Sequence, residues 1–259
     1  MIEQYKRIWE RRDLLRYLVV FDIKAKQKNK ALGFLWSFLD PLLLMGVYTV
    51  LVVFIFKRDE PQFPVLVFCA ILSWRWFITS LSSSVTAITS KVRIVQTTRF
   101  PLAVLPLANV INGLVDYLAG LVMLIPLLFI FEATFSVNML WLPLLLLVQL
   151  VGTIGAALIC AVLGTYLSDL SNILQFGLRL WFYLSPALYS VAGTLPERLQ
   201  PIYMTLNPFA ALFESYKNIL VRGVPPSGYM LVAAAMAVLV FLIGSWYFAR
   251  DEYKLVKAI

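Results

Sequence analysis

Residues Leu140–Leu167 have the sequence LWLPLLLLVQLVGTIGAALICAVLGTYL, which contains no charged side chain. About 20 apolar residues in a helix cross the ~30 Å hydrocarbon layer of a bilayer and satisfy their own backbone hydrogen bonds. The other apolar blocks of this kind are Phe34–Phe56, Pro64–Ile88, Pro101–Phe131, Ile173–Val191 and Tyr229–Phe248. With 61% hydrophobic and 14% charged residues, a water-soluble core is excluded. The sequence therefore predicts an all-α membrane protein with six transmembrane helices.

The distribution of basic residues predicts the orientation of these helices. The net charge is +8, and most cations lie in residues 1–30, in the second connection (Lys91, Arg93, Arg99) and at the C-terminus (Arg250, Lys254, Lys257). The first, third and fifth connections hold fewer, namely Lys57, Arg58, Arg198, Lys217 and Arg222. Because connections rich in Lys and Arg stay in the cytoplasm, we expect both termini to be cytoplasmic. We interpret the cations as topology signals and contacts to anionic lipid, not as a nucleic-acid site.

The sequence lacks the usual residues of a soluble catalytic centre. It has no His, no G-x-x-x-x-G-K-[ST] phosphate loop, and its two cysteines, Cys69 and Cys160, both lie inside apolar blocks. We expect no cofactor and no metal bound by this chain, so active transport needs an ion gradient or a separate ATPase. A membrane-embedded transferase is disfavoured because the acidic residues of the spans are scattered. An ion-coupled carrier is disfavoured because no internal repeat is visible.

Two segments outside the spans have a pattern of their own. Residues 4–30 predict an amphipathic helix at the membrane surface, in which leucines, Val19 and Phe21 form an apolar stripe. The basic residues expected to contact lipid headgroups are Arg11, Arg12, Arg16, Lys24 and Lys28; the alternative is a solvated basic tail. Residues 192–228 are too apolar for a solvated loop and predict two short re-entrant helices, Leu195–Gln200 and Phe209–Val221.

The domain organisation follows from these assignments. The chain, residues 1–259, is expected to form a single membrane domain. It consists of an interface helix (1–33), spans one to five (34–191), an extracytoplasmic re-entrant gate region (192–228), span six (229–249) and a cytoplasmic tail (250–259). Within span four, small residues recur every four positions, which favours a close helix contact within one subunit over a dimer contact. These residues are Gly152, Ala156, Cys160 and Gly164.

Arg75 and Asp116 are charged residues deep inside predicted spans two and three. Each lies about 22 Å from the cytoplasmic end of its helix, at ~1.5 Å per residue. Intramembrane charges usually pair with one another or face water. Equal depth on neighbouring antiparallel helices therefore predicts a salt bridge between them. The alternative places Arg75 in an outer vestibule and leaves Asp116 protonated inside the bundle.

Several short motifs, in order, resemble those of one permease class. The first half contains Asp13-Leu-Leu-Arg16, Asp22-Ile-Lys24, Leu32-Gly33-Phe-Leu-Trp36, Asp40-Pro41-Leu-Leu, Phe100-Pro101, Leu105-Pro106 and Val115-Asp116-Tyr117. The second half contains Ser168-Asp169, Leu184-Ser185-Pro186-Ala-Leu-Tyr189 and Leu206-Asn207-Pro208-Phe209. This order is similar to that of the permeases of type-two ABC exporters, which move O-antigens, capsules and teichoic acids. Gln27 and Ser168 depart from the family, which usually has Tyr and Arg at those places.

The resemblance implies an assembly and a cargo. It implies a homodimer with two copies of a separate nucleotide-binding ATPase subunit, which would bind the ATP and magnesium. The cargo would be a lipid-linked glycan moved from the cytoplasm across the bacterial plasma (inner) membrane, and the runner-up is a lipid or drug exporter of the same superfamily. In the family, the second cytoplasmic connection couples to the ATPase, which implies roles for Lys91, Arg93, Arg99 and Phe100. The substrate enters beside the N-terminal helix.

The resemblance also implies an aromatic lining for the substrate channel, because aromatic rings stack on the CH faces of sugars. The candidates in this chain are Trp74, Trp76, Phe77, Trp181, Phe182 and Tyr183. From the residues alone, the same aromatics also fit an ordinary interfacial belt at the membrane surface.

Overall fold

The computed structural model describes residues 9–27, 35–57, 61–97 and 100–258, and within them every regular element is a helix. The elements in chain order are α1 (Arg12–Gln27), α2 (Trp36–Thr49, continued by π-helical Val50–Ile55), α3 (Phe63–Val85), α4 (Val92–Thr97, after a 3₁₀ turn Thr89–Lys91), α5 (Val104–Ile130), α6 (Leu142–Tyr166, after a 3₁₀ turn Val137–Trp141), α7 (Leu170–Leu184), α8 (Val191–Thr194), α9 (Gln200–Leu206), α10 (Pro208–Lys217, continued by π-helical Asn218–Arg222) and α11 (Met230–Ala258).

Five of these helices, α2, α3, α5, α6 and α11, are long and apolar enough to cross a bilayer. The protein is therefore a multi-pass membrane protein, as predicted. α3 is the most buried of the five and packs against α2, α5, α6, α7 and α10. It can lie at the centre of the fold because it has apolar residues on all its faces. The hydroxyls of Ser80 and Ser84 donate hydrogen bonds to carbonyls of the same helix, so they can be buried as well.

The fifth predicted span is shorter in the structure than in the sequence pattern. α7 has 15 residues and ends at Leu184 rather than at Val191. Ser185 adopts an extended conformation (φ −98°, ψ 152°), as expected for a residue before a proline, and Pro186 cannot continue the helix. A 15-residue helix is about 22 Å long at ~1.5 Å per residue, less than the hydrocarbon thickness. The six-span count therefore stays a prediction.

The segment between α7 and α11 is helical but arranged differently from the prediction. The predicted helix Leu195–Gln200 is wrong, because that stretch is non-helical until Gln200, where α9 begins and uses Pro201 in its first turn. The second predicted helix corresponds to α10 with its π-helical continuation. Asn207 starts α10 by accepting a hydrogen bond from the backbone N–H of Phe209 at 3.1 Å. At Gly223 the chain adopts a left-handed conformation (φ 69°) that ends the helix.

Small residues allow α6 and α11 to approach closely. A Cβ at Gly155 would overlap the backbone of Phe241, and one at Gly244 would overlap the carbonyl of Gly155. A Cβ at Gly164 would overlap the carbonyl oxygen of Val85 at the end of α3. The predicted contact of the small-residue face within one subunit is confirmed for Gly152 and Gly164, because Gly152 meets Ala237 of α11.

The N-terminal helix packs against the other helices of the chain. Leu18 and Val19 of α1 are buried in an apolar cluster with the first turns of α5 and with Phe248 and Leu255 of α11. Part of the predicted pattern is present in α1: Arg12, Arg16 and Lys24 are exposed and Leu18 and Val19 are buried, whereas Phe21 of the predicted apolar stripe is exposed. Its location in the plane of a membrane surface stays a prediction.

Candidate functional site

A cavity of about 570 Å³ lies between α2, α3 and α7. Leu44 and Tyr48 line it from α2, Trp74 and Arg75 from α3, and Arg179 from α7. Its wall thus combines aromatic rings with guanidinium groups. The hydroxyls of Thr79, Ser82 and Ser83 and the amide of Gln175 add neutral hydrogen-bonding groups. We consider this cavity the candidate functional site.

The amphipathic pattern of α7 explains why its polar residues lie at this cavity. Asn172, Gln175, Arg179 and Tyr183 recur every three to four residues and are all exposed, so they form one face of the helix. On another face, Leu178 is buried against the core. Gln175, Arg179 and Tyr183 line the cavity. A short helix with one polar face is suited to line a water-accessible path at membrane depth.

Arg75 forms an ion pair within this region. Its Nη2 lies 3.3 Å from Oδ2 of Asp40 on α2, with both side chains partly exposed. Asp116 of α5 lines, together with Arg75, a smaller neighbouring cavity of about 30 Å³. The direct bridge between Arg75 and Asp116 stays a prediction. Equal depth in the membrane pairs Arg75 of span two with Asp116 of span three. It does not take into account that span one also carries an acidic residue, Asp40.

Most of the predicted aromatic residues form a packed cluster that joins α3, α7 and α10. The ring of Trp74 lies 4.9 Å from that of Phe209, and Phe77 lies 4.6 Å from the same ring. The ring centre of Phe182 lies 5.7 Å from that of Trp74, and the ring centre of Trp181 lies 5.3 Å from that of Phe209. Ring pairs at these separations stabilise a contact by ~0.5–1.5 kcal/mol beyond burial. The cluster therefore has a structural role in holding the short α7 against the core.

The predicted aromatics differ in their access to the cavity. Trp74, Phe182 and Tyr183 line it, and Tyr183 is half exposed, with its hydroxyl 3.3 Å from that of Tyr48. Phe77 and Trp181 line a different, apolar cavity of about 590 Å³ between α6, α7 and α11. Trp76 is buried and its Nε1 donates to the carbonyl of Val110 on α5 at 3.1 Å. Contact of any of these rings with a cargo stays a prediction.

The gate region, residues 192–228, is fastened to the end of α7 by hydrogen bonds. Lys217 is buried and its Nζ donates to the carbonyl of Pro186 at 2.6 Å. Trp181 Nε1 donates to Oδ1 of Asn207 at 3.1 Å, and the Tyr203 hydroxyl donates to the carbonyl of Leu184 at 2.7 Å. Burial raises the pKa of Tyr203 well above its ordinary value, so this hydroxyl keeps its proton. These bonds attach the segment 192–228 to the C-terminal end of α7.

The predicted ATPase-coupling segment contacts α1. Nζ of Lys91 lies 3.4 Å from Oδ2 of Asp22, which also accepts a hydrogen bond from Asn112 Nδ2 at 3.4 Å. Arg93 is exposed on α4 and Phe100 is partly buried, whereas Arg99 lies outside the described residues. A salt bridge thus joins the segment predicted to couple to the ATPase to the N-terminal helix.

The predicted headgroup contacts are on the surface of the same region. Arg11, Arg12, Arg16 and Lys24 are all exposed on or beside α1, and Lys28 lies outside the described residues. The guanidinium of Arg12 lies 5.8 Å from the ring centre of Trp9. The exposure of these cations permits contact with anionic lipid, which stays a prediction.

The sequence motifs do not include Arg179 and Gln175, although the sequence carries a signal for Arg179. Of the 22 Lys and Arg residues, only Arg75 and Arg179 fall inside the predicted spans.

In the described part of the chain, no group of His, Cys, Asp and Glu side chains could hold a metal ion.

Comparison with known proteins identifies the family. Residues 13–221 match the family model described as ABC-2 type transporter. The chain belongs to the ABC-2 type transporter family. It is 31% identical, over 97% of its own length and 98% of the relative's, to an O-antigen export system permease protein of Myxococcus xanthus. It is 27% identical to a protein of the same description from Klebsiella pneumoniae, with 95% of each chain covered.

The family assignment confirms the resemblance predicted from the ordered motifs. The match covers α1 to α10 and ends within the π-helical turn after α10, so the cavity and its polar helix face lie inside the family domain. An ABC-2 permease is a transport subunit, and the family implies a partner ATPase. α7, with its polar face, therefore lies inside the part of the chain that matches the family model.

Proposed function

We propose that this chain is the channel-forming permease subunit of an ATP-driven exporter that moves a lipid-linked polysaccharide out of the cytoplasm across the bacterial inner membrane. The observation that supports this most strongly is the similarity to O-antigen export permeases across almost the entire length of both chains. The cavity between α2, α3 and α7 supports it further, because aromatic rings and hydroxyls suit a carbohydrate better than a purely apolar lumen would.

The working assembly in this proposal is a homodimer with two ATPase subunits. ATP and magnesium would be bound by those subunits. α2 and its π-helical continuation also expose Leu43, Val47 and Phe54, and α7 exposes its polar face. Two copies facing each other across these surfaces would enclose a path between them.

The proposed topology has six crossings with both termini in the cytoplasm. α7 would be the fifth crossing, and its short length would be completed by the gate region, which continues toward the outer surface after Pro186. α1 would lie at the cytoplasmic headgroup level, where each Lys or Arg contributes about 1 kcal/mol of attraction to anionic lipid. The salt bridge of Lys91 with Asp22 would link this helix to the ATPase-coupling segment.

The experiment is deletion of the gene in its own host, followed by complementation with the wild-type chain. We expect loss of surface polysaccharide and accumulation of lipid-linked glycan in the inner membrane, both reversed by complementation. A control strain carries a partner ATPase that binds but does not hydrolyse ATP, and it should show the same accumulation. Normal surface polysaccharide in the deletion strain, together with a changed pattern of exported lipids, would favour the alternative, a lipid or drug exporter of the same superfamily.

A further inference from the structure

The cavity between α2, α3 and α7 has an uncompensated positive charge. Its ionisable charged groups are Arg75 and Arg179, and no carboxylate lines it among the described residues. Arg75 is paired with Asp40. Arg179 is exposed in the single chain, and it has no ion pair or hydrogen bond to any residue that the structure describes.

Arg179 lies within a helix of the membrane domain, where a cation without a counter-charge is unusual. It lies about 14 Å along α7 from Leu170, at ~1.5 Å per residue, which is about two-thirds of the way along the helix. A cation at membrane depth is costly unless it faces water or an anion, and such residues typically mark the path of a transported ion or substrate. The apolar face formed by Leu170, Leu174 and Leu178 continues at Trp181 and Phe182. Arg179 lies outside this face, so the charge takes no part in packing α7 against the core.

The groups around Arg179 suit a polar ligand with an anionic centre. One turn away along the same helix face lies the amide of Gln175, and Ser82, Ser83 and Thr79 present hydroxyls from α3. The guanidinium plane binds phosphate or carboxylate through paired hydrogen bonds, whereas an amide and hydroxyls bind neutral hydroxyls. The ring of Tyr183 on the same face provides a stacking surface for a sugar.

We propose that Arg179 binds an oxyanion, a phosphate or a carboxylate, carried by the transported molecule. This inference rests on the proposed function and adds to it the substrate chemistry: the cargo passes the cavity as an anion-bearing glycan. The oxyanion has two possible sources, a phosphate that joins the glycan to its lipid or an acidic group along the glycan itself. Both present the same chemistry to the guanidinium.

The test measures binding directly and does not require export. The purified full-length chain in nanodiscs of phosphatidylcholine is titrated with inorganic pyrophosphate, with hexagalacturonate and with the neutral maltohexaose. The fluorescence of Trp74, which lines the cavity, or calorimetry reports binding. The variants are Arg179→Gln, Arg179→Lys and, as a matched control at an exposed arginine outside the cavity, Arg250→Gln.

At low ionic strength, we expect at least one charged probe to bind the wild-type chain about tenfold more tightly than maltohexaose does. One charge-assisted hydrogen bond contributes about this much to the affinity. Arg179→Gln should remove this preference and Arg179→Lys should keep part of it, because lysine retains the charge without the planar fork. Arg250→Gln should bind like the wild type. Preference for pyrophosphate would assign the oxyanion to the lipid linkage, and preference for hexagalacturonate to the glycan.

Equal binding of charged and neutral probes by the wild-type chain would overturn the inference. So would an Arg179→Gln variant that has native helix content by circular dichroism and still prefers the charged probes as strongly as the wild type. The proposed function is tested separately by the deletion strain. Anion preference in a protein whose deletion leaves surface glycan intact would refute polysaccharide export and leave the oxyanion site standing. Export of surface glycan by a chain without anion preference would refute the site alone.

Discussion

The first prediction concerns a buried hydrogen-bonded network at Gln149, in the interior of α6. Its Oε1 accepts from the Ser73 hydroxyl and from the Tyr216 hydroxyl, both at 2.9 Å, and its Nε2 donates to the carbonyl of Ser73 at 2.7 Å. The network joins α6 to α3 and α10. Gln149→Leu keeps the approximate size of the side chain and removes all three bonds.

The magnitude of the effect follows from these contacts. Hydrogen bonds between helices in membranes average ~0.6 kcal/mol in double-mutant cycles, so three bonds amount to about 2 kcal/mol. Leaving the buried Tyr216 hydroxyl without an acceptor costs ~1–3 kcal/mol by itself, which supports the same range. Since Leu and Gln are close in volume, we expect little additional cost from a cavity. The free energy of unfolding should therefore fall by about 2 kcal/mol.

The assay is reversible unfolding of the purified chain in mixed micelles, followed by circular dichroism as the fraction of denaturing detergent rises. The matched control is Thr153→Val, one helical turn away and equally buried, which loses only a hydrogen bond to the Gln149 carbonyl of the same helix. Tyr216→Phe completes a double-mutant cycle and should add almost nothing in the Gln149→Leu background. If Gln149→Leu is no less stable than Thr153→Val, or if the cycle is additive, the network does not hold these helices together.

The remaining predictions concern transport. Arg93→Glu combined with Arg99→Glu should uncouple ATP hydrolysis from export without affecting membrane insertion; normal export with unchanged stimulation of the ATPase contradicts a coupling role. Arg12→Gln with Arg16→Gln should slow loading of the lipid-linked glycan while leaving the dimer intact, and an unchanged export rate would make α1 a simple anchor. Tyr183→Ala should slow export of long glycans per folded molecule, because this ring is half exposed and little packing is lost; a change in folded yield alone would instead indicate an interfacial belt.

The long apolar helices could be predicted from the sequence because their signal is local. A continuous apolar block without charge, such as Leu140–Leu167, satisfies its backbone only as a helix, and α6 forms within it. The ends of α7 were harder to predict because two opposing patterns meet there. The apolar sequence continues past Leu184, but Pro186 ends the helix, and the following apolar residues belong to the short helices of the gate region.

The candidate site was less predictable because it depends on contacts between distant segments. Of the six aromatic residues predicted to line a channel, only Trp74, Phe182 and Tyr183 line the cavity. The packing of Trp74 and Phe77 on Phe209 depends on α10 folding back against α3. Likewise, the partner of Arg75 is Asp40, 35 positions away in sequence. Depth in the membrane limits which charges can pair, but it does not determine which helix faces lie opposite each other. That information lies in the packing of α2 on α3.

The close contact of α6 with α11 has a consequence for biosynthesis. α11 follows every other described helix in chain order, so the ribosome delivers α6 to the membrane well before its tightest partner exists. Until then, the groove at Gly152 and Gly155 faces lipid, and any helix with a complementary small-residue face can occupy it. The α11 helix of a second nascent copy has that face by identity of sequence. When two copies are synthesised next to each other on one messenger RNA, the α6 helix of one copy can pack with the α11 helix of the other. This exchange of α11 between protomers competes with the packing of α6 on α11 within each chain.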